Sequence, residues 1–283
     1  IRYKDRWHLF CTLRGNERSH AIVYSSFDEF ENADLEKPIV LPNHDGYFCA
    51  PQVFYFTPHK KWYLICQAKD SSWDPVYQAA YATSDNIGDP NSWSPLQPME
   101  AIKPEGHGWL DFWVICDEEK AHLFYTSDDG TMWRADTPLA DFPLGWSAPD
   151  LALETDIFEA NHVYRLTDGS GYLNVIEAQA RADRRYYKAY LSDRLDGEWR
   201  PVADTIQTPY AAAWGPGQNV QLLGGQWTHS ISHGEMIRIG YDEAMEADPN
   251  ADFLFQGVLH KDRQGKAYGA IPWRLGILKL TGK

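Results

Sequence analysis

Short apolar segments separated by turn signals run along the whole chain and predict β-strands. Aromatic and β-branched residues are frequent in these segments, and no long stretch has the 3.6-residue period of an amphipathic helix. Asp129-Gly130, Asp196-Gly197 and Thr57-Pro58-His59-Lys60 stand between or after such segments and are typical of tight turns. The pattern therefore predicts an all-β protein built from hairpins.

One kind of segment recurs, an aromatic or apolar triplet with leucine at its centre. The leucines are Leu9, Leu64, Leu123 and Leu173, which are 55, 59 and 50 residues apart. Each interval is about one four-stranded blade of a β-propeller. The innermost strands of a propeller converge on one axis, so we expect the functional residues near the start of each blade.

Composition and charge narrow the possible partners. No apolar run approaches the roughly 18 residues that cross a bilayer, so the sequence predicts no membrane span. A net charge of −14 without a basic cluster disfavours nucleic acid and favours a neutral polymer such as a polysaccharide. Aromatic residues, 14% of the chain, can stack on sugars, although most of them are expected to fill strands.

The chain is predicted to be one domain, residues 1–283, because no Pro/Gly/Ser-rich or charged linker divides it. Its four cysteines, Cys11, Cys49, Cys66 and Cys116, lack metal-type spacing and are interpreted as buried free thiols, which leaves the redox compartment open. Ile1 starts within a predicted strand, so we expect a further strand and any secretion signal upstream of it.

Two carboxylates stand among apolar strand residues. Asp111 lies in Leu110-Asp111-Phe112 and Glu159 in Phe158-Glu159-Ala160, and each stretch directly precedes a leucine-centred repeat. Burying a carboxylate costs several kcal/mol unless hydrogen bonds or function compensate. A strand-end acid bonded to nearby amides is the structural alternative. Two acids that flank a sugar are also the catalytic groups that cleave a glycosidic bond.

At these residues the chain resembles glycoside hydrolase family 62, as a divergent member. The matching segments run in order along nearly the whole sequence. They are Ala50 to Phe56, Leu110-Asp111-Phe112, His122-Leu123-Phe124, Asp129-Gly130, Phe142-Pro143, Phe158-Glu159, Val163-Tyr164, Ile231 to Arg238, Phe253 to Gly257 and Ile271 to Arg274.

The resemblance implies a five-bladed β-propeller that removes α-L-arabinofuranosyl groups with inversion. It implies that Glu159 is the general acid and that Asp111 orients this acid and tunes its pKa. Acid and base of an inverting enzyme lie about 6.5–9.5 Å apart. The family's general base is an aspartate, which is expected upstream of Ile1. The sequence is therefore expected to start after the strand that carries this base. Asp5 is not nominated, because Lys4-Asp5 is predicted to form a turn.

The resemblance also implies ligand-binding residues. Tyr268, His233 and Gln67 are expected to contact the sugar, and an ordinary loop residue is the alternative for Tyr268. His233 matches a histidine associated with a central cation, so a structural calcium ion at the propeller axis is a further expectation. A histidine bonded to a carboxylate or to water is the alternative. No cofactor is expected for the chemistry.

Two other functions stay open at this point. One is a non-catalytic carbohydrate-binding propeller, and the other is a family 43-type β-xylosidase or arabinanase with the same fold. The expected partner is a plant cell-wall polysaccharide, arabinoxylan or arabinan, with neither nucleic acid nor membrane as a partner. The expected location is secreted or extracytoplasmic.

Overall fold

The strands form five sheets, one for each blade of the predicted propeller. The computed structural model describes residues 1–14, 20–35, 37–180, 184–223 and 225–279. The helical segments within these residues are one short α-helix, α1 (His260–Arg263), and three 3-10 turns, at Phe30–Asn32, Thr57–His59 and Tyr268–Ala270. The predicted fold class, an all-β five-bladed β-propeller, is confirmed.

The first three sheets each contain four strands that follow one another in the chain. The first consists of β1 (Arg2–Tyr3), β2 (Arg6–Leu13), β3 (Ala21–Phe27) and β4 (Ile39–Val40). The second consists of β5 (Phe48–Phe56), β6 (Lys61–Lys69), β7 (Tyr77–Ser84) and β8 (Gln97–Pro98). The third consists of β9 (Leu110–Cys116), β10 (Lys120–Thr126), β11 (Thr131–Pro138) and β12 (Asp150–Glu154).

The last two sheets depart slightly from this pattern. The fourth begins with β13 (Glu159–Leu166), β14 (Tyr172–Ala180), β15 (Arg184–Ser192) and β16 (Arg200–Ala203). The fifth consists of β17 (Ser232–Met236), β19 (Phe253–Gly257) and β20 (Arg274–Leu278). The intervening β18 (Glu246–Ala247) pairs in parallel with β13 and so joins the fourth sheet.

The sequence placed the turns and repeats correctly. Asp129-Gly130 separates β10 from β11, Asp196-Gly197 separates β15 from β16, and a 3-10 turn at Thr57–His59 separates β5 from β6. The four leucine-centred repeats lie in β2, β6, β10 and β14, which are the second strands of their sheets. The acids that precede a repeat therefore lie in first strands, β9 and β13.

A left-handed residue interrupts the first strand of four sheets. The residues are Ala50, Asp111, Ala160 and His233, with φ between 45° and 56°. Strand pairing shifts register at the interruption in β5, β13 and β17, as expected for a β-bulge. A bulge redirects the side chains next to it, so these sheets carry the same distortion where the candidate acids and His233 lie.

The chain divides into two compact units. The first contains residues 1–124, 135–150 and 240–245, and the second contains residues 125–134, 151–239 and 246–283. The first unit packs Trp62 and Leu64 of β6 against Phe48 and Val53 of β5 in its core. The second has a smaller cluster around Tyr186. The predicted single domain stays a prediction.

The interpretation of the cysteines as buried free thiols is confirmed for three of the four and is wrong for Cys11, which is not buried. All four are free thiols, with Cys49, Cys66 and Cys116 buried and Cys11 partly exposed. Burial raises the pKa of the Cys49 thiol to about 11 and that of Cys66 well above its ordinary value. No helix among the described residues has the length and hydropathy to cross a membrane.

Candidate active site

A row of three side chains crosses strands β13, β14 and β15 in the second unit. Glu159 lies opposite Glu177, and Glu177 lies opposite Tyr187. Directly opposed residues of neighbouring strands place their side chains on the same face of a sheet. Arg185 comes two residues before Tyr187 in β15 and so points to that face as well. The sheet thus assembles two acids and one cation from three strands.

The Arg185 guanidinium is the central group of this cluster. Its Nη1 atom lies 3.1 Å from Glu177 Oε1 and 3.4 Å from Glu159 Oε2, and it donates to Ser232 Oγ at 2.8 Å. The side chain is only 1% exposed, and the guanidinium carbon lies 4.3 Å from the centre of the Phe158 ring. Burial alone would lower the pKa of Arg185, but the adjacent carboxylates raise it above its ordinary value. Arg185 is therefore a permanent cation beside both acids.

Glu177 is fully buried and is held by groups from two strands, β15 and β17. Its Oε1 atom accepts a hydrogen bond from the Ser232 hydroxyl at 2.9 Å and forms the ion pair with Arg185. Its Oε2 atom accepts from the backbone N–H of His233 at 2.8 Å and from the Tyr187 hydroxyl at 3.3 Å. These bonds replace the hydration that the carboxylate loses on burial.

His233 brings an imidazole to the partly exposed acid, Glu159. Its Nε2 atom lies 3.2 Å from Glu159 Oε2, and its Nδ1 atom lies 2.6 Å from both Ser232 Oγ and Gln256 Nε2. Burial alone would lower the pKa of His233, but the carboxylates of Glu177 and Glu159 raise it above its ordinary value. When charged, the ring donates its Nε2–H to Glu159.

Two aromatic rings complete the cluster. The guanidinium carbon of Arg185 lies 5.7 Å from the centres of both the Tyr268 and the Trp273 rings. Trp273 also lies 6.5 Å from the His233 ring. Tyr268 borders a cleft of about 260 Å³, which is further lined by His260, Arg263, Gln264, Gly265, Lys266 and Ile271. The structure thus brings together three of the predicted site residues, Glu159, His233 and Tyr268.

Asp111 and Gln67 lie together in the first unit. The backbone N–H of Asp111, whose φ is 56°, donates to Gln67 Oε1 at 2.9 Å. The Gln67 amide nitrogen donates to Tyr47 Oη and to Cys49 Sγ, each at 3.2 Å. Gln67 is 7% exposed and supports the left-handed backbone at Asp111. The predicted contact of Gln67 with sugar and the predicted pairing of Asp111 with Glu159 stay predictions.

The resemblance implies a cation near His233, and three described residues come close enough to bind one. Ligand atoms of Glu159, Glu177 and His233 all lie within 4.8 Å of one another. However, the Arg185 cation already lies against both carboxylates and would repel a second positive charge. Calcium also prefers about six to eight oxygen ligands. These residues do not fit a calcium ion held by protein ligands, and the metal role of His233 stays a prediction.

Sequence reasoning missed Glu177, Arg185 and Gln256. Glu177 carries the same signal as the two predicted acids, because it follows Val175-Ile176 and precedes Ala178 in an apolar strand. Asp111 and Glu159 were selected because they precede a leucine-centred repeat. Glu177 lies within such a repeat strand, so it was not selected. Arg185 gave no such signal, because Arg184 and Lys188 are charged residues of the same strand, β15.

Comparison with known sequences identifies related enzymes. The model of the glycosyl hydrolase family 62 matches residues 15–279. A curated relative, α-L-arabinofuranosidase C of Cellvibrio japonicus (strain Ueda107), is 37% identical over 290 residues. That alignment covers 99% of this chain and 43% of the relative, so the chain spans less than half of the curated protein's length.

Solved structures of family 62 enzymes share the fold over nearly the whole chain. The catalytic domain of the α-L-arabinofuranosidase from Coprinopsis cinerea matches with a TM-score of 0.89 and 34% identity, covering 99% of this chain and 89% of that one. The α-L-arabinofuranosidase from Podospora anserina, solved with cellotriose, matches with a TM-score of 0.88 and 34% identity. It covers 100% of this chain and 89% of that one.

Proposed function

The chain belongs to glycosyl hydrolase family 62, and from this premise we propose that it is an α-L-arabinofuranosidase. Its substrate in this proposal is a plant cell-wall polysaccharide, arabinoxylan or arabinan, from which it removes terminal arabinofuranosyl side groups. The family match over residues 15–279 is the observation that carries the proposal. The partly exposed carboxylate of Glu159, held beside Arg185 and His233, supports it.

Glu159 is the general acid in the proposed reaction. Its carboxylic acid donates a proton to the glycosidic oxygen as the bond from that oxygen to the anomeric carbon breaks. A water molecule attacks the opposite face of that carbon, a general base takes its proton, and the arabinose leaves with inverted configuration. The resemblance assigns the tuning of the acid to Asp111. Arg185 and His233 both approach Oε2 of Glu159, so they are suited to orient this carboxyl group.

The substrate class agrees with the charge of the chain. A net charge of −14 repels anionic polymers and leaves a neutral polysaccharide unaffected. Tyr268 and Trp273 offer rings beside Arg185 that can contact a sugar. We further propose that the protein acts outside the cytoplasm, because its proposed substrate is a cell-wall polysaccharide.

Product analysis tests the activity. The full-length gene product is incubated with arabinoxylan, with arabinan and with 4-nitrophenyl α-L-arabinofuranoside, and free sugars are quantified by anion-exchange chromatography. We expect arabinose without xylose, and NMR of the first product formed should show the inverted anomer. Release of xylose would instead support the family 43-type alternative. Binding of the polymers without release of any sugar would support the non-catalytic propeller.

Replacing Glu159 by Gln tests the assigned acid. The variant cannot donate the proton, so we expect kcat on arabinoxylan to fall by about 10²- to 10⁴-fold while the polymer still binds. A 4-nitrophenolate leaving group needs little protonation, so turnover of the aryl substrate should fall much less. Glu154→Gln, at an exposed position of β12, is the matched control and should behave like the wild type. Full turnover of arabinoxylan by Glu159→Gln would contradict the assignment.

A further inference from the structure

Glu177 is a buried charge with an unusual set of partners. Its two oxygens contact a guanidinium, two hydroxyl groups and one backbone N–H, contributed by strands β15 and β17. Substrate in solution cannot reach a carboxylate with no exposed surface. Glu177 therefore does not act on the sugar directly, and its contacts define what it does.

Two of these contacts lead to Glu159. Arg185 Nη1 lies 3.1 Å from Glu177 and 3.4 Å from Glu159, so the same nitrogen bridges the two acids. The backbone N–H of His233 donates to Glu177, while the Nε2 atom of the same residue lies 3.2 Å from Glu159. Arg185 and His233, which both approach Glu159 Oε2, are thus each bound by the carboxylate of Glu177.

The negative charge of Glu177 is what stabilises Arg185 at its buried position. A buried guanidinium without a counter-charge is strongly destabilised, and Glu177 supplies that charge. Without it, Arg185 would depend on Glu159 as its nearest carboxylate, and the ion pair would draw Glu159 toward β15. The left-handed backbone at His233, with φ of 45°, would also lose the acceptor of its N–H.

We propose that Glu177 is a positioning residue for the reaction. It fixes Arg185 and the backbone of His233, and through them it holds the carboxyl group of Glu159 in the orientation that delivers a proton to the leaving oxygen. This role rests on the proposed function, in which Glu159 is the general acid. Glu177 itself never meets the sugar.

The test compares two leaving groups in Glu177→Gln. Misplacing the acid slows only the cleavage that needs a proton, so we expect kcat on arabinoxylan to fall by about 10²-fold with KM within about three-fold. Turnover of 4-nitrophenyl α-L-arabinofuranoside should fall by less than about five-fold. Asn174→Ala is the matched control, because Asn174 is equally buried in β14 and its amide donates to Met132. It should lower thermal stability and leave the ratio of the two rates unchanged.

A second variant keeps the test informative if the single change unfolds the protein. Glu177→Gln combined with Arg185→Met removes both charges, so no uncompensated ion stays buried. We expect the double variant to fold and to lose kcat on arabinoxylan but not on the aryl substrate. This loss should be no greater than the larger of the losses in Glu177→Gln and Arg185→Met alone.

The outcomes separate the two proposals. If the wild type releases arabinose but the Glu177 variants lose both substrates equally, or lose neither, the positioning role is wrong and the proposed function stands. If the wild type releases arabinose from no substrate, the proposed function is wrong, and this inference is overturned with it.

Discussion

Two glutamates that lie opposite each other on neighbouring strands differ in their exposure to solvent. Glu177 has no exposed surface, whereas the side chain of Glu159 is 25% exposed. A carboxylate without access to solvent persists only because Arg185 and hydrogen-bond donors compensate its lost hydration. A partly exposed carboxylate can meet a substrate and still be held by the protein. Exposure therefore favours Glu159 for contact with the substrate and Glu177 for support.

His162, which lies in β13 with Glu159, makes the stability of the fold depend on pH. Burial lowers the pKa of His162 from 6.5 to about 4, so the folded state resists protonation that the unfolded chain accepts. Between pH 6.5 and 4 the unfolded state binds more protons, so His162 should contribute about 3 kcal/mol to the fall in the free energy of unfolding as the pH drops through this window. His8 and His20 add to this fall, because burial also lowers their pKa values to about 4. Urea unfolding at pH 7 and pH 4.5 measures the loss.

Substitution assigns that loss to the residue. His162→Gln should reduce the difference between the two pH values, and His59→Gln, at an exposed position, should not. His233 contributes with the opposite sign, because its pKa is raised: its stabilisation is present below pH 6.5 and is lost as the pH rises through its folded pKa. An unchanged pH dependence in His162→Gln would show that other groups cause it.

At the scale of the strand, the repeated left-handed residue is the notable element. A non-glycine residue at φ near 50° costs about 1–3 kcal/mol, and the chain carries one in the first strand of four sheets. In β13 the distortion follows Glu159 directly, and in β17 it is at His233 itself. The bulges aim these side chains away from the regular alternation of the strand, which explains why strained backbone coincides with the candidate site.

The close packing of β17 against β19 yields a prediction for Gly234. A Cβ atom at this position would lie 2.1 Å and 2.5 Å from ring atoms of Phe253 and 2.8 Å from the carbonyl oxygen of Leu254. Gly234→Ala must therefore push the strands apart, at a cost of about 1–3 kcal/mol. Because Gly234 follows His233, we also expect kcat on arabinoxylan to fall. Thermal unfolding and initial rates measure the two effects.

Gly240 is the control for this prediction. A Cβ atom there would have no neighbour closer than 3.8 Å, so Gly240→Ala should stay within about 0.5 kcal/mol of the wild type. Equal stability of the two variants would mean that β17 and β19 can separate without cost, contrary to the packing in the structure.

At the scale of the molecule, charge governs which polymers can approach. The net charge of −14 acts over about 30 Å at 0.01 M salt and about 10 Å at 0.1 M. For neutral arabinoxylan we expect kcat/KM to change by less than about two-fold between 0.02 and 0.5 M NaCl. For an arabinose-bearing polymer rich in uronic acids, the rate should rise with salt as repulsion is screened. Initial rates of arabinose release at several salt concentrations check both expectations.

A steep fall of the rate on neutral arabinoxylan with salt would contradict this picture. Such a fall would mean that salt weakens an electrostatic interaction within the protein on which turnover depends, because a neutral polymer is not itself attracted by charge. The basic side chains Arg263 and Lys266, which border the cleft beside Tyr268, would then be the first residues to replace.

Local signals determined much of this protein from its sequence alone. Hydrophobic runs and Asp-Gly turns depend on neighbouring residues, so the strands, the hairpins and the leucine-centred repeats could be predicted. The order of the family 62 segments predicted the family and the five-bladed fold, both of which are confirmed. The unusual setting of a carboxylate in an apolar strand also selected Glu159, whose predicted role as the general acid stays a prediction.

Only the tertiary structure showed what surrounds that carboxylate. Ser232 and Glu177 are 55 residues apart in the chain, and Arg185 and Ser232 are 47 apart. No local pattern relates such positions, because strand register and bulges decide which side chains share a face. The difference between Glu159 and Glu177 depends on burial, which each acquires only when β13, β14, β15 and β17 pack together. The folded chain, not either residue's sequence context, gives these two glutamates different environments.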